Sequence, residues 1–89
     1  MMQYILLEDD ISRLPLPVRC FNALKRNGVN TVGDMIRSKE EGKLEGFAYL
    51  GKKGVSEVEQ WVESLYAGTT GFRIAADEDE IAQRKAEDG

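Results

Sequence analysis

The sequence predicts a small all-α domain, and three observations predict it. Apolar residues recur at helical spacing in several runs between residues 17 and 66. Helix-starting residues such as Pro17 and Thr31, and glycines such as Gly28, punctuate those runs. Neither an alternating strand pattern nor a repeat of solenoid length interrupts them. A length of 89 residues with 42% hydrophobic content is enough for one core, near the size at which a single core becomes marginal. The expected architecture is a compact four-helix domain behind an extended N-terminal arm.

Residues 1–16 mix an apolar cluster with Asp9, Asp10 and Pro15, so they read as an arm that lays Ile5, Leu6, Leu7, Ile11 and Leu14 across the domain, all buried. Pro17 suits the first helical position. Val18, Phe21 and Leu24 follow every third residue and Gly28 stops the run, which predicts a helix over 17–27. Its outer face presents Arg19, Asn22, Ala23 and Arg26. Thr31 and Asp34 resemble a capping box opening a short helix that turns Val32, Met35 and Ile36 inward. Ser38 and Glu41 repeat the signal for a third helix, which Gly42 and Gly46 make short or irregular. The last helix, over 52–66, buries Val55, Val58, Val62 and Leu65, with Trp61 beside that stripe as core. Glu57, Glu59, Gln60 and Glu63 face water. The helical domain spans 17–68, and residues 69–89 read as an acidic tail, with 72–89 either a frayed helix or disordered.

Composition removes several functional classes. No apolar run approaches the roughly 20 residues of a membrane span, and no secretory signal precedes the domain, so a cytoplasmic protein is expected. The lone Cys20 has no disulfide partner, and the absence of histidine removes the usual zinc ligands and a Cys–His nucleophile pair. No metal or cofactor is expected. Carboxylates are plentiful, but nothing marks a cleft that would tune them for acid–base catalysis, so the chain reads as no enzyme.

Net charge is −4, yet residues 17–56 carry eight cations against four anions, while the excess of acid lies in residues 1–16 and, above all, beyond residue 56. Within the basic stretch, Leu50-Gly51-Lys52-Lys53-Gly54 combines a tight turn, two cations and a helix start. Unpaired N–H groups at a helix N-terminus attract anions, and glycines let a phosphate backbone approach. The pentapeptide reads either as a phosphate-gripping turn or as a helix entry with solvated lysines.

Four stretches together carry a family resemblance: Ile5-Leu6-Leu7, the run Leu16-Pro17-Val18-Arg19-Cys20-Phe21-Asn22-Ala23-Leu24-Lys25, then Thr31-Val32-Gly33-Asp34-Met35, and Leu50-Gly51-Lys52-Lys53-Gly54-Val55-Ser56-Glu57-Val58. The sequence resembles the C-terminal domain of the bacterial RNA polymerase alpha subunit over residues 5–66 and, more widely, helix-hairpin-helix and SAM-like folds. The resemblance implies binding to the minor groove of A·T-rich double-stranded DNA and docking of RNA polymerase subunits or transcription regulators, in a nucleoid-associated setting. Carried over by position, it implies DNA contacts from Arg19, Asn22, Gly51, Lys53 and Glu57, with Lys52 and Gly54 in the same turn.

Three departures stand out. Gly54 occupies a position where the family usually has a small hydroxyl residue, Ala23 stands where a cysteine is common, and one extra residue lies between Gly33 and Gly51. The chain is either a fragment or a free-standing relative, and its oligomeric state is open. A DNA-binding module competes with a protein-interaction adaptor that keeps the fold without useful DNA affinity.

Overall fold

In the computed structural model, which describes residues 2–88, the start of the arm and the segment after the last core helix meet as strands. Strand β1 (Gln3–Leu6) pairs in parallel with β2 (Phe72–Ala75), in the register Gln3 to Phe72 through Leu6 to Ala75. Neither strand was legible, because each is four residues long and its partner is remote in sequence. A two-stranded ribbon is marginal alone. This one rests on the core through Ile5, Leu6 and Ala75, all buried, and through Phe72, whose ring meets Trp61 edge-on at 6.1 Å. The folded body therefore runs through Ala75, within the segment expected as a tail.

Beyond β1 the arm is stapled by its acids and its backbone. Asp10 caps the 3-10 turn Ile11–Arg13 by accepting from the Ser12 N–H, and also accepts from Lys25 Nζ at 2.6 Å. Backbone bonds run from Ile11 to Asn30, Val32 to Asp9 and Gly33 to Leu7. Gly33 eases that approach, since a Cβ there would lie 3.1 Å from the Leu7 carbonyl oxygen, a tight contact. Ile5, Leu6, Ile11 and Leu14 are buried as expected, but Leu7 is 46% exposed because the strand has ended and the chain turns outward.

Helix α1 (Val18–Arg26) starts one residue later than expected, with Pro17 as its cap, and ends before Gly28, whose φ is +82°. Its buried stripe is Cys20, Ala23 and Leu24, so Val18 is exposed and Ala23 leaves the predicted outer face. Cys20 faces the last core helix, its Sγ lying 4.0 Å from the Gly54 carbonyl oxygen and 3.1 Å from Glu57 Oε2. Helix α2 (Val32–Glu40) has the full capping box between Thr31 and Asp34, and buries Val32, Met35 and Ile36. The second capping signal fails, because Ser38 lies inside α2 and donates to the Asp34 carbonyl at 2.8 Å. In place of a third helix there is only the 3-10 turn Leu44–Gly46, with Leu44 buried.

Helix α3 (Gly51–Ala67) carries Val58, Val62 and Leu65 into the core and stops at Gly68, whose left-handed φ of +73° terminates it. Val55 and Trp61 are half-buried against the same cluster. Helix α4 (Glu78–Asp88) follows β2, so the α-helices number four among the described residues, the fourth lying where a tail was expected.

Candidate nucleic-acid interface

The candidate surface is built where α1 passes the start of α3. Asn27 fixes their spacing: its Nδ2 donates both to the Ala23 carbonyl in α1, at 2.7 Å, and to the Ala48 carbonyl in the turn before α3, at 3.0 Å. That turn is unusual. Tyr49 and Gly51 flank Leu50 with φ of +69° and +70°. Glycine takes this conformation freely, whereas a bulky residue costs about 1–2 kcal/mol there. The reversal drops Leu50 into the core beneath Gly54, where an added Cβ would lie 2.8 Å from Leu50 Cδ1 and 3.0 Å from Cγ. Gly54 is therefore buried by close packing on Leu50; it is not a glycine that clears space for a ligand.

Four of the sequence-selected residues, Arg19, Lys53, Gly54 and Glu57, line one surface recess of about 190 Å³, together with Pro17, Cys20 and Leu50. The helix that carries Arg19 and the first turn of α3, which carries Lys53, thus meet at one place. Gly51, Lys52 and Asn22 are exposed and lie outside the recess lining, Gly51 and Lys52 on the first turn of α3 and Asn22 one turn along α1 from Arg19.

Charge at this place is uncommitted. Among the described residues Arg19, Lys52 and Lys53 make no salt bridge, as is also true of Arg26, Lys39 and Arg73, whereas Arg13, Lys25, Arg37, Lys43 and Arg84 each have an acidic partner. The Leu50 side chain does not cap α3 and the first turn holds no acid, so the first-turn N–H groups lack an intrahelical acceptor and carry the positive end of the helix dipole. Glu57 lines the same recess but forms no salt bridge with Arg19 there; its Oε2 accepts from Cys20 Sγ at 3.1 Å. Burial, and then the Glu57 carboxylate, push the Cys20 thiol up to about 11, which leaves it protonated and unreactive at neutral pH.

The acidic C-terminal segment lies elsewhere. Helix α4 packs on β2, and Glu78, Ile81 and Lys85 line a groove with Met2, Tyr4 and Arg13 of the arm, sharing no residue with the Arg19 recess. Its Glu80 accepts from the Ala76 N–H and from Arg84. Among the described residues no group of three or more acidic or cysteine side chains could hold a metal, and no helix is long and apolar enough to cross a membrane.

The family model for the C-terminal domain of the bacterial RNA polymerase alpha subunit matches residues 3–64. The chain belongs to that family. Curated alpha subunits of DNA-directed RNA polymerase are its relatives: it is 44% identical over 57 residues to that of Mycoplasmoides gallisepticum, covering 63% of this chain and 17% of the relative. The alpha subunits of Alkaliphilus oremlandii and Clostridium botulinum are 40% and 42% identical over 62 residues, covering 70% of this chain and 19% of each relative. The chain thus spans under a fifth of the length of the relatives it matches. No solved structure matches it. In this alpha C-terminal domain the match includes β1 and most of α3, while β2 and α4 lie beyond it.

Sequence reasoning missed the residues that set the geometry. Asn27 precedes a helix-ending glycine and carried no signal of its second bond to Ala48, which joins segments remote in sequence. Leu50 was read as part of a motif, although its burial is what seats the turn. Pro17 and Cys20, both lining the recess, were read as a helix start and an isolated thiol.

Proposed function

We propose that this domain binds double-stranded DNA with the face shared by α1 and the start of α3. In this reading Arg19 enters the minor groove of A·T-rich sequence, where a narrow groove deepens the negative potential that favours a guanidinium. Asn22 bonds the degenerate acceptors of the groove floor or a phosphate. The open N–H groups from Gly51 onward, with Lys52 and Lys53, grip the adjacent backbone. Gly54 acts indirectly, by letting that helix start sit on Leu50, and Glu57 anchors the recess through Cys20. The observation that carries the reading is the pairing of Arg19 and Lys53 around one recess, both without a salt-bridge partner, beside a helix start left open by its neighbouring side chains. Docking to RNA polymerase subunits or transcription regulators in the bacterial cytoplasm, close to the nucleoid, would add the effective concentration that a weak contact needs.

Fluorescence anisotropy with an A·T-rich duplex across a salt series tests this. The protein should bind at low salt, with a log–log slope corresponding to about two to four phosphates. Arg19→Ala plus Lys53→Ala should weaken binding at least tenfold, and binding indifferent to that pair would reject the assignment. A second reading, an adaptor without useful DNA affinity, draws on Gly54, which is buried and lacks the hydroxyl usual in the family, and on the net charge of −4. It predicts no duplex binding even at low salt, together with retained binding to purified RNA polymerase.

A further inference from the structure

The stripe that carries Arg19 and Asn22 continues one turn further to Arg26, about 10 Å along the α1 axis from Arg19. The Arg26 guanidinium carbon lies 5.0 Å from the centroid of the Tyr49 ring, and among the described residues Arg26 makes no salt bridge. Tyr49 is 75% exposed and is the one non-glycine residue with positive φ among those described. Nothing in the packing calls for an aromatic residue here, since the ring stands in solvent and glycine or asparagine suits that backbone better. The Asn27 bond to the Ala48 carbonyl nevertheless holds this turn against α1, so the ring and the guanidinium stay in register with the start of α3.

We propose that Arg26 and Tyr49 form a second element that grips the DNA backbone, Arg26 donating to a phosphate and Tyr49 packing its ring on the neighbouring deoxyribose. This rests on the DNA-binding reading above. A guanidinium stacked on a ring uses its flat face and keeps its in-plane N–H donors for an anion. Because Arg26 already covers one face of Tyr49, the ring suits a sugar edge better than insertion between bases. The contact would lengthen the interface along α1 and add affinity with little sequence preference.

The test is the same salt-series titration on the full protein, with Arg26→Ala, Arg26→Lys and Tyr49→Gly measured on A·T-rich and mixed-sequence duplexes and each variant checked by thermal melting. Arg26→Ala should weaken binding roughly five- to tenfold on both sequences and lower the salt slope by about one. Tyr49→Gly should melt near the wild-type temperature, since glycine accepts the left-handed turn, and still lose roughly threefold or more in affinity. Arg26→Lys keeps the charge at an exposed position and should fall between the wild type and Arg26→Ala. If the wild type binds in an Arg19- and Lys53-dependent way while all three variants bind as it does, the second element is refuted and the primary interface stands. If the wild type shows no duplex binding at all, both fall.

Discussion

Helices α2 and α3 start in opposite ways within one small domain. At α2 the molecule closes its own helix end: Thr31 accepts from the Asp34 N–H at 3.0 Å, and the Asp34 carboxylate accepts from the Thr31 and Asn30 N–H groups at 3.3 Å. At α3 there is no capping side chain, no acid and two lysines, and the turn before it contains two left-handed residues. Isolated helix physics favours the first arrangement everywhere, since a cap and an acid each stabilise a helix start. The second persists because packing replaces capping, with Leu50 seated under Gly54, and it leaves N–H groups and cations turned toward whatever binds. The difference separates a helix end closed by its own side chains from one held by packing and left without a cap.

The most disruptive way to break this comparison is to remove the packing that substitutes for a cap. Gly54→Val inserts branched carbons where even a Cβ would lie 2.8 Å from Leu50 Cδ1, and overpacking of this kind costs about 1–3 kcal/mol. Urea unfolding should show a loss in the upper part of that range, and duplex affinity should fall with it as the turn is displaced. A variant as stable as the wild type would mean that Leu50 does not hold the α3 start.

At α2 the effect should be smaller and pH-dependent. Thr31→Ala should cost about 1 kcal/mol in urea unfolding, the usual value of an N-cap, with duplex binding unchanged. The N–H donors of Thr31, then Asn30, hold the Asp34 carboxyl below its ordinary range, and the Lys25 ammonium beside Asp10 holds that carboxyl down to about 2. A carboxyl whose folded value is depressed contributes stability above its unfolded value, near 4, and loses that contribution as pH falls through the folded value. The domain should therefore weaken between about pH 4 and pH 2. Asp10→Asn and Asp34→Asn should each flatten that acid limb, and an unchanged limb in both would sever the link.

Legibility in the sequence tracks the range of the interactions. The α2 capping box and the α3 core stripe were readable because their partners lie three or four positions apart. The facing of α1 was misread: Val18, Phe21 and Leu24 suggest one helix face and Cys20, Ala23 and Leu24 a neighbouring one, and only the close passage of α3, visible in the Cys20–Glu57 bond, selects the second. The parallel ribbon was invisible because it joins segments on either side of the whole helical core in sequence. At the candidate site the gathering of Arg19 and Lys53 followed from the family motif, whereas the left-handed Tyr49 and the bridging Asn27 depend on a turn whose course is set by contacts remote in sequence.

The subtlest way to sharpen the comparison is to make the α3 start resemble the α2 start without touching its packing. Lys52→Glu does this at an exposed position on the first turn of α3. An acid near a helix N-terminus is favourable by about 0.3–1 kcal/mol, so the variant should unfold at slightly higher urea than the wild type. The same change removes a cation and adds an anion beside the proposed phosphate seat, so duplex affinity at low salt should drop at least tenfold and the salt slope should shrink. Opposite signs for stability and binding at one residue are the signature of a helix end kept open for its ligand. Should the variant lose stability, the open start is not the less stable arrangement; should it bind as tightly as the wild type, the phosphate seat is not at this turn.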